Sequence, residues 1–180
     1  MRSRYGNYFI FFNFSFGLLL GFPVVAVAQG KSESLPIKED SQRFGAWELL
    51  CTPPSAPSSA CRLTQKLVAA DKGEPVFLTT VLPTSKKGSH VGILSAPSGG
   101  YLPPGMELRI DGGKPFKVLF ETCNSMGCHG GFELAGRVLK ELSGGKILSV
   151  RLWSTKSAPV DVKINLDGFG KGFAALKERA

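Results

Sequence analysis

Apolar and polar residues alternate over long stretches of this chain, and a period of two residues indicates β-strands. In the clearest stretch the apolar positions are Val160, Val162, Ile164 and Leu166. The residues between them are Asp161, Lys163 and Asn165. Successive side chains of a strand point to opposite faces, so each such strand has one buried face and one solvated face. Strands of this kind are typical of antiparallel sheets, and the pattern excludes a mainly helical fold.

Similar segments recur along the chain, and turns rich in Gly, Pro and Asp separate them. These alternating or apolar segments are 47–51, 62–67, 76–82, 91–96, 107–111, 116–121 and 148–152. About eight or nine short strands with turns between them predict a β-sandwich or a barrel. We expect a set of apolar side chains to be buried in its core: Trp47, Leu63, Leu108, Phe116, Phe120, Val150, Val162 and Ile164.

Two stretches have the apolar spacing of a helix instead. In the first, between residues 132 and 143, apolar residues recur every four positions, at Leu134, Val138 and Leu142. In the second, near the C-terminus, they recur at Phe169, Phe173 and Leu176. Asp167 is placed to cap the start of this second helix. We expect both helices to cover an open edge or end of the β-domain.

The N-terminus has the three regions of a cleavable export signal in the required order. Arg2 and Arg4 provide the positive start, an apolar run extends from 8 to 27, and Ala26-Val27-Ala28 supplies the small residues of a cleavage site. The run is about long enough to span a bilayer. However, Asn, Gly and Pro residues interrupt it, so a cleaved signal peptide (1–28) is favoured over a membrane anchor. The mature protein is then expected to begin at Gln29.

The rest of the chain is predicted to form a flexible polar lead-in (29–43) and a single domain (44–180). Loss of Arg2 and Arg4 with the signal lowers the formal net charge from +8 to +6. This surplus favours contact with an anionic envelope or host surface, although it also suits ordinary solubility. Nucleic acid is a poor candidate partner, because an exported protein rarely meets it. No transmembrane segment is expected after signal removal.

The cysteines, Cys51, Cys61, Cys123 and Cys128, all lie in the mature part. An even number of cysteines outside the cytoplasm indicates disulfides. Four cysteines allow three pairings, and sequence alone does not choose between them. The spacing favours two local pairs, Cys51–Cys61 and Cys123–Cys128.

Cofactor sites are weakly supported. Cys123 and Cys128 precede His129, which resembles a haem attachment site, but the spacer has four residues instead of two. A zinc site using His90 or His129 with the cysteines is disfavoured by the ten-residue separation of Cys51 and Cys61. We therefore expect no cofactor and no metal, and a disulfide-closed turn beside His129.

Catalytic motifs are also weak. The chain has neither a G-x-S-x-G elbow nor an H-E-x-x-H motif, and His90 and His129 are its only histidines. The glycines at 168, 170 and 172 resemble a dinucleotide loop. The third glycine is misplaced and no further βαβ unit follows, so a simple start to the terminal helix is favoured. The sequence thus predicts no enzyme and no catalytic residue.

Four motifs, in order along the chain, resemble the invasion-associated locus B family of exported alphaproteobacterial proteins. The first is Phe44-Gly45-Ala46-Trp47, followed by Cys51 and Cys61. The second is the segment from 102 to 112 with Leu108-Arg109-Ile110-Asp111. The third is Pro115-Phe116 leading to Cys123 and Gly127-Cys128. The last is Leu166-x-Gly168-Phe169 followed by Ala174-Ala175-Leu176, so the resemblance extends over residues 44–178.

The resemblance implies an immunoglobulin-like β-sandwich, a periplasmic or cell-surface location and a part in host-cell invasion. It supplies no catalytic site. With the export signal and the disulfides, it favours a non-catalytic binding or envelope protein whose sandwich loops contact an unidentified protein or an anionic surface. The alternative is an exported redox protein, or another enzyme, that uses the Cys123/Cys128 pair. The oligomeric state is left open.

Overall fold

The computed structural model describes residues 40–53, 60–68 and 75–179. The predicted signal peptide and residues 29–39 of the lead-in lie outside the described residues. The described residues form the strands β1 (Asp40–Phe44), β2 (Trp47–Cys51), β3 (Cys61–Val68), β4 (Pro75–Pro83), β5 (His90–Ala96), β6 (Met106–Ile110), β7 (Phe116–Val118), β8 (Thr122–Asn124), β9 (Gly127–Glu133), β10 (Ile147–Thr155) and β11 (Ala158–Asn165). Two helices, α1 (Gly136–Gly144) and α2 (Phe169–Arg179), complete these elements.

The strands form two antiparallel sheets. The larger sheet has seven strands in the order β1-β2-β3-β4-β5-β9-β8, and the smaller has four in the order β11-β10-β6-β7. In the larger sheet, strands β1 to β4 each pair with the next strand along the chain, and β5 pairs with β9. The prediction of a mainly β, immunoglobulin-like antiparallel sandwich with one or two short covering helices is confirmed.

One hydrophobic cluster contains residues of both sheets and both helices. Of the side chains predicted to be buried, Trp47, Leu63, Leu108, Val150 and Ile164 have exposures of 5% or less. The other predicted core residues are half-buried and pack against the cluster: Phe116, Phe120 and Val162. The period-two pattern therefore assigned the inward face of these strands correctly at most positions, and Val160, 42% exposed, is an exception.

The boundaries of three elements differ from the prediction. Strand β1 begins at Asp40, because the backbone of residues 40–44 pairs with β2 even though these side chains are largely exposed. Helix α1 begins at Gly136 and not near residue 132, because Phe132 and Glu133 pair with β5. Gly168, and not Asp167, precedes α2: the first bond within the helix runs from the Gly172 N–H to the Gly168 carbonyl.

The first and last family-like motifs meet in space. The Ala46 N–H donates to the Asp167 carbonyl oxygen at 3.1 Å. A Cβ atom on Gly168 would overlap the Phe44 carbonyl, so only glycine allows this close backbone approach. The Trp47 and Phe169 rings pack edge to face with centroids 5.0 Å apart. The two ends of the domain are thereby joined through backbone contact and aromatic packing.

A buried amide ties the larger sheet to the end of β11. The Gln65 side chain, 6% exposed, donates to the Asn165 carbonyl oxygen and accepts from the Asn165 N–H, at 2.7 and 3.1 Å. The Trp47 Nε1–H donates to the same carbonyl at 2.9 Å. Buried polar groups are stabilising only when paired, and here each has a partner.

None of the helices formed by the described residues has the length and apolar character needed to cross a membrane.

Candidate functional site: a cleft beside the Cys123–Cys128 turn

A cleft of about 520 Å³ lies over β5, β9 and the residues that lead into β8. Its lining comprises Thr84, Ser89, His90, Val91, Ile93, Glu121, Thr122, His129, Gly130, Gly131, Phe132 and Glu133. On β5 the residues facing out of the sandwich are half-buried, whereas the alternate residues are buried in the core. The cleft therefore lies on the outer face of the larger sheet, close to its β8 edge.

Gly131 provides the floor of the cleft. It pairs with Ile93, and its N–H donates to the Glu121 carboxylate at 3.2 Å. A Cβ atom on Gly131 would lie 3.4 Å from Glu121 Oε1 and 3.5 Å from Val91 Cγ2, which are ordinary contact distances. A side chain at this position would therefore occupy the cleft without forcing the backbone to move.

The charge of the cleft differs from that of the whole chain. Glu121 and Glu133 line it, and no Lys or Arg is among its lining residues, although the formal net charge of the chain is +8. Val91 and Ile93 supply apolar walls. The cleft thus combines apolar surface with two carboxylates, and a few polar groups in an apolar pocket are typical of ligand sites.

A chain of three polar side chains borders this cleft. His129 on β9 is the direct cross-strand neighbour of Ser95 on β5, and its Nδ1 lies 2.8 Å from Ser95 Oγ. His129 Nε2 lies 3.2 Å from Asn124 Oδ1. The Met126 N–H also donates to Asn124 Oδ1, at 2.8 Å. This second bond fixes the orientation of the Asn124 amide.

The orientation of the Asn124 amide determines which nitrogen of the His129 imidazole carries the proton. Because Asn124 Oδ1 is an acceptor, neutral His129 carries its proton on Nε2. Nδ1 is then an acceptor, and Ser95 donates its hydroxyl proton to it. A hydroxyl beside an oriented base is the first part of a nucleophilic site. The sequence did not indicate this Ser95–His129 pairing.

Sequence reasoning treated His129 only as a neighbour of the cysteines and did not select Ser95. The two residues are 34 positions apart, and only the register of β5 against β9 brings them together. Residues 91–96 form only a less regular apolar run, so the sequence carries no signal that singles out Ser95.

The two cysteine pairs favoured from spacing are the pairs that lie at disulfide distance. The Sγ atoms are 2.10 Å apart in Cys51–Cys61 and 2.09 Å apart in Cys123–Cys128. In each pair the two cysteines lie directly opposite each other on neighbouring antiparallel strands. The pairs occupy β2/β3 and β8/β9, which are separated by β4 and β5 in the sheet order, so they do not form one site.

The Cys123–Cys128 pair closes the turn that presents Asn124. Cys123 is exposed, whereas Cys128 is 2% exposed and lies on the inner side of β9. Among the described residues, His, Cys, Asp and Glu form no group of three that could hold a metal ion.

His90, the second histidine, is a packed residue at the inner edge of the cleft. It is 4% exposed, and its ring meets the Phe173 ring edge to face at 4.9 Å. Its Nε2 has no hydrogen-bond partner among the described residues. His90 is the first residue of β5 and its side chain is buried.

The fold and motifs agree with comparisons to known proteins. A family model described as Invasion associated locus B (IalB) protein matches residues 47–177. Invasion protein B homologs from Brucella abortus strain 2308 and from Brucella abortus biovar 1 strain 9-941 are each 28% identical over 157 residues, covering 86% of this chain and 90% of theirs. The crystal structure of invasion associated protein b from Bartonella henselae has a TM-score of 0.67 at 21% identity, covering 76% of this chain and 94% of that one. The last comparison shows a shared fold, and the family match extends over most of the chain: this protein belongs to the Invasion associated locus B family.

Proposed function

We propose that this chain is an exported, non-catalytic binding protein of the bacterial envelope or cell surface that supports interaction with host cells. The name "invasion protein B homolog" of the Brucella relatives, which match 86% of this chain, supports a part in invasion. Those relatives are named as invasion proteins and not as enzymes. The partner is a protein or an anionic surface of the envelope or the host.

The observation that carries the binding proposal is the cleft over β5 and β9. Its volume of about 520 Å³ is within the range of ligand sites, and its lining is mainly apolar with a few polar groups. It lies on the outer face of the larger sheet, where a partner has access without opening the core.

Export is supported by the N-terminal pattern and by both cysteine pairs. Disulfides persist in the periplasm and outside the cell, whereas the cytoplasm keeps thiols reduced. Two pairs at bonding distance therefore suit an oxidising compartment.

Host-cell invasion by a deletion strain tests this proposal. The strain is complemented with the parent, with Gly131→Val, or with Gly144→Val. Valine at 131 fills the cleft floor, whereas an added side chain at 144 meets open space. We expect the parent and Gly144→Val to restore invasion and Gly131→Val to fail while being exported at the same level. Full restoration by Gly131→Val would reject the cleft as the binding site, and normal invasion by the deletion strain would reject the role itself.

A redox function of the Cys123/Cys128 pair is the second candidate. The specific observation in its favour is that one sulfur is on an exposed residue and the other on a buried one. Structural disulfides have reduction potentials below about −300 mV, whereas catalytic ones are more oxidising. A potential below about −300 mV in the purified protein supports the structural role, and one near about −120 to −200 mV supports the redox role.

A further inference from the structure

We infer that the cleft binds a lysine or arginine side chain presented by a partner protein. This inference rests on the proposed function, since it takes the cleft as the binding site, and it names the chemistry of the partner. The contrast between the local charge of the cleft and the net charge of the chain is the starting point.

The two cleft carboxylates are free to accept a cation. Among the described residues, the ion pairs involve Glu107, Glu141, Asp161 and Asp40, and none includes Glu121 or Glu133. Glu121 uses Oε1 for the Gly131 N–H, which holds its carboxylate over the cleft floor and leaves Oε2 available. A charged donor that reaches such carboxylates forms hydrogen bonds about twice as strong as neutral ones.

The apolar walls suit the rest of such a side chain. Lysine and arginine carry several methylene groups between the backbone and the charge, and these pack along apolar surface while the charged end reaches a polar partner. Val91 and Ile93 are half-buried on the outer face of β5 and line the cleft. A small inorganic cation would leave this apolar surface uncovered.

The neighbouring sheet edge favours a protein segment over a free amine. β8 is the terminal strand of the larger sheet, and Thr122, Cys123 and Asn124 are all exposed. Among the described strands, only β9 pairs with it. An extended peptide can add to such an edge through backbone hydrogen bonds and place alternate side chains over the sheet. A long basic side chain at one of those positions reaches across β8 toward Gly131.

Two blocked peptides provide the probe: a pentapeptide with a central arginine between valines, and the same peptide with citrulline. Citrulline keeps the shape of arginine and lacks its charge. The parent chain and three variants are titrated with each peptide, and amide chemical shifts of Ile93, Gly131 and Glu133 report binding. The variants are Glu121→Gln with Glu133→Gln, Gly131→Val, and the control Asp167→Asn with Glu178→Gln, which removes the same charge at positions outside the cleft lining.

We expect the arginine peptide to shift these amides saturably and the citrulline peptide to bind about tenfold more weakly. The double Glu variant should lose about the same factor, Gly131→Val should not bind, and the control variant should match the parent. Because the whole chain is positively charged, general electrostatics does not attract a basic peptide, so such binding reports the cleft.

Equal binding of both peptides, or no saturable shift with either, would overturn the inference. So would spermidine shifting the same amides when the arginine peptide does not, since that indicates a free amine as ligand. These outcomes are separate from the invasion test. Failure of the peptides together with loss of invasion by Gly131→Val removes only the basic side chain as partner, whereas normal invasion by that variant removes the cleft.

Discussion

At the scale of single residues, Gly168 and Asp111 show why two family-like motifs contain the residues they do. Gly168 has a φ of 84° and lies against the Phe44 carbonyl, so it joins the two ends of the domain. The Asp111 carboxylate accepts from the N–H groups of Lys146 and Ile147, at 2.9 and 2.8 Å, and so holds the start of β10 against the end of β6. Both roles are structural and neither involves the cleft.

Gly168→Ala is expected to lower the free energy of unfolding by about 2–4 kcal/mol. The added Cβ is strained at positive φ and overlaps the Phe44 carbonyl. Gly144→Ala is the matched control, because a Cβ there meets open space, and its effect should be within about 1 kcal/mol. Urea denaturation followed by tryptophan fluorescence measures both. Equal midpoints for the two variants would contradict the close approach of residues 44 and 168.

Asp111 is expected to make stability depend on pH under acid conditions. Hydrogen bonds from the backbone of Ile147 and Lys146 hold the pKa of its carboxyl below the ordinary value of 3.8. Because this pKa is lower in the folded protein than in the unfolded chain, the ionised carboxylate stabilises the fold at pH values above the ordinary pKa. This stabilisation is lost as the pH falls through the pKa of the folded state.

The matching measurement is urea denaturation of the parent, Asp111→Asn and Asp167→Asn at several pH values between neutral and strongly acid. The Asp167 carboxylate accepts no hydrogen bond from the described residues, so that variant is the control for charge removal. The parent and the control should lose stability more steeply on acidification than Asp111→Asn. Identical pH dependence in all three would show that the two backbone bonds do not favour the ionised form.

At the scale of elements, the cysteines act as cross-strand ties. In each pair the two cysteines lie directly opposite each other on neighbouring antiparallel strands. One pair lies near each edge of the larger sheet. β8 has only three residues and pairs with β9 alone among the described strands, so we expect the Cys123–Cys128 pair to help hold it in place. Because β8 carries Asn124, the same tie orients His129 beside the cleft.

Replacing Cys123 and Cys128 together by serine is expected to lower the free energy of unfolding by about 2–3 kcal/mol, because the unfolded chain gains conformational freedom. The amide signals of Asn124 and His129 should change more than those of β2 and β3. Mass mapping of non-reduced peptides should find Cys51–Cys61 and Cys123–Cys128 in the parent. A Cys51–Cys123 linkage, or free thiols in exported protein, would refute the local pairing.

At the scale of the whole molecule, two antiparallel sheets share one core, and two helices add to it. Helix α2 contacts β1, β2 and β3, and its Phe169, Phe173 and Leu176 are buried. The family-like ending therefore belongs to the core.

Processing is the prediction that belongs to the whole chain. N-terminal sequencing of exported protein should begin at Gln29, because Ala26-Val27-Ala28 presents small residues at the positions that a signal peptidase reads. Replacing Ala28 by a bulky residue should leave a longer precursor in the membrane fraction. Exported protein that still begins at Met1 would show that the apolar run is not cleaved.

The sequence by itself determined strands β2 to β7, β10 and β11, most of their inward residues and the favoured cysteine pairs, but it did not indicate β1, β8 or β9. These features depend on local rules: side chains alternate along a strand, and cysteines close in sequence meet across a turn. Leu108 and Ile164 were assigned to the core from alternation alone, and both have exposures of 5% or less. The family resemblance added information about residues far apart in the sequence, because it related motifs that no local rule connects.

Only the tertiary structure decided the cleft, the Ser95–His129–Asn124 chain and the start of α1. Each depends on the register of β9 against β5 and β8, which backbone hydrogen bonds fix between residues far apart in sequence. The same pairing keeps Glu133 in a strand although the apolar spacing around it is helical. Strand pairing forms backbone hydrogen bonds to a neighbouring strand. The stability gained from these bonds exceeds the small differences in local helix propensity.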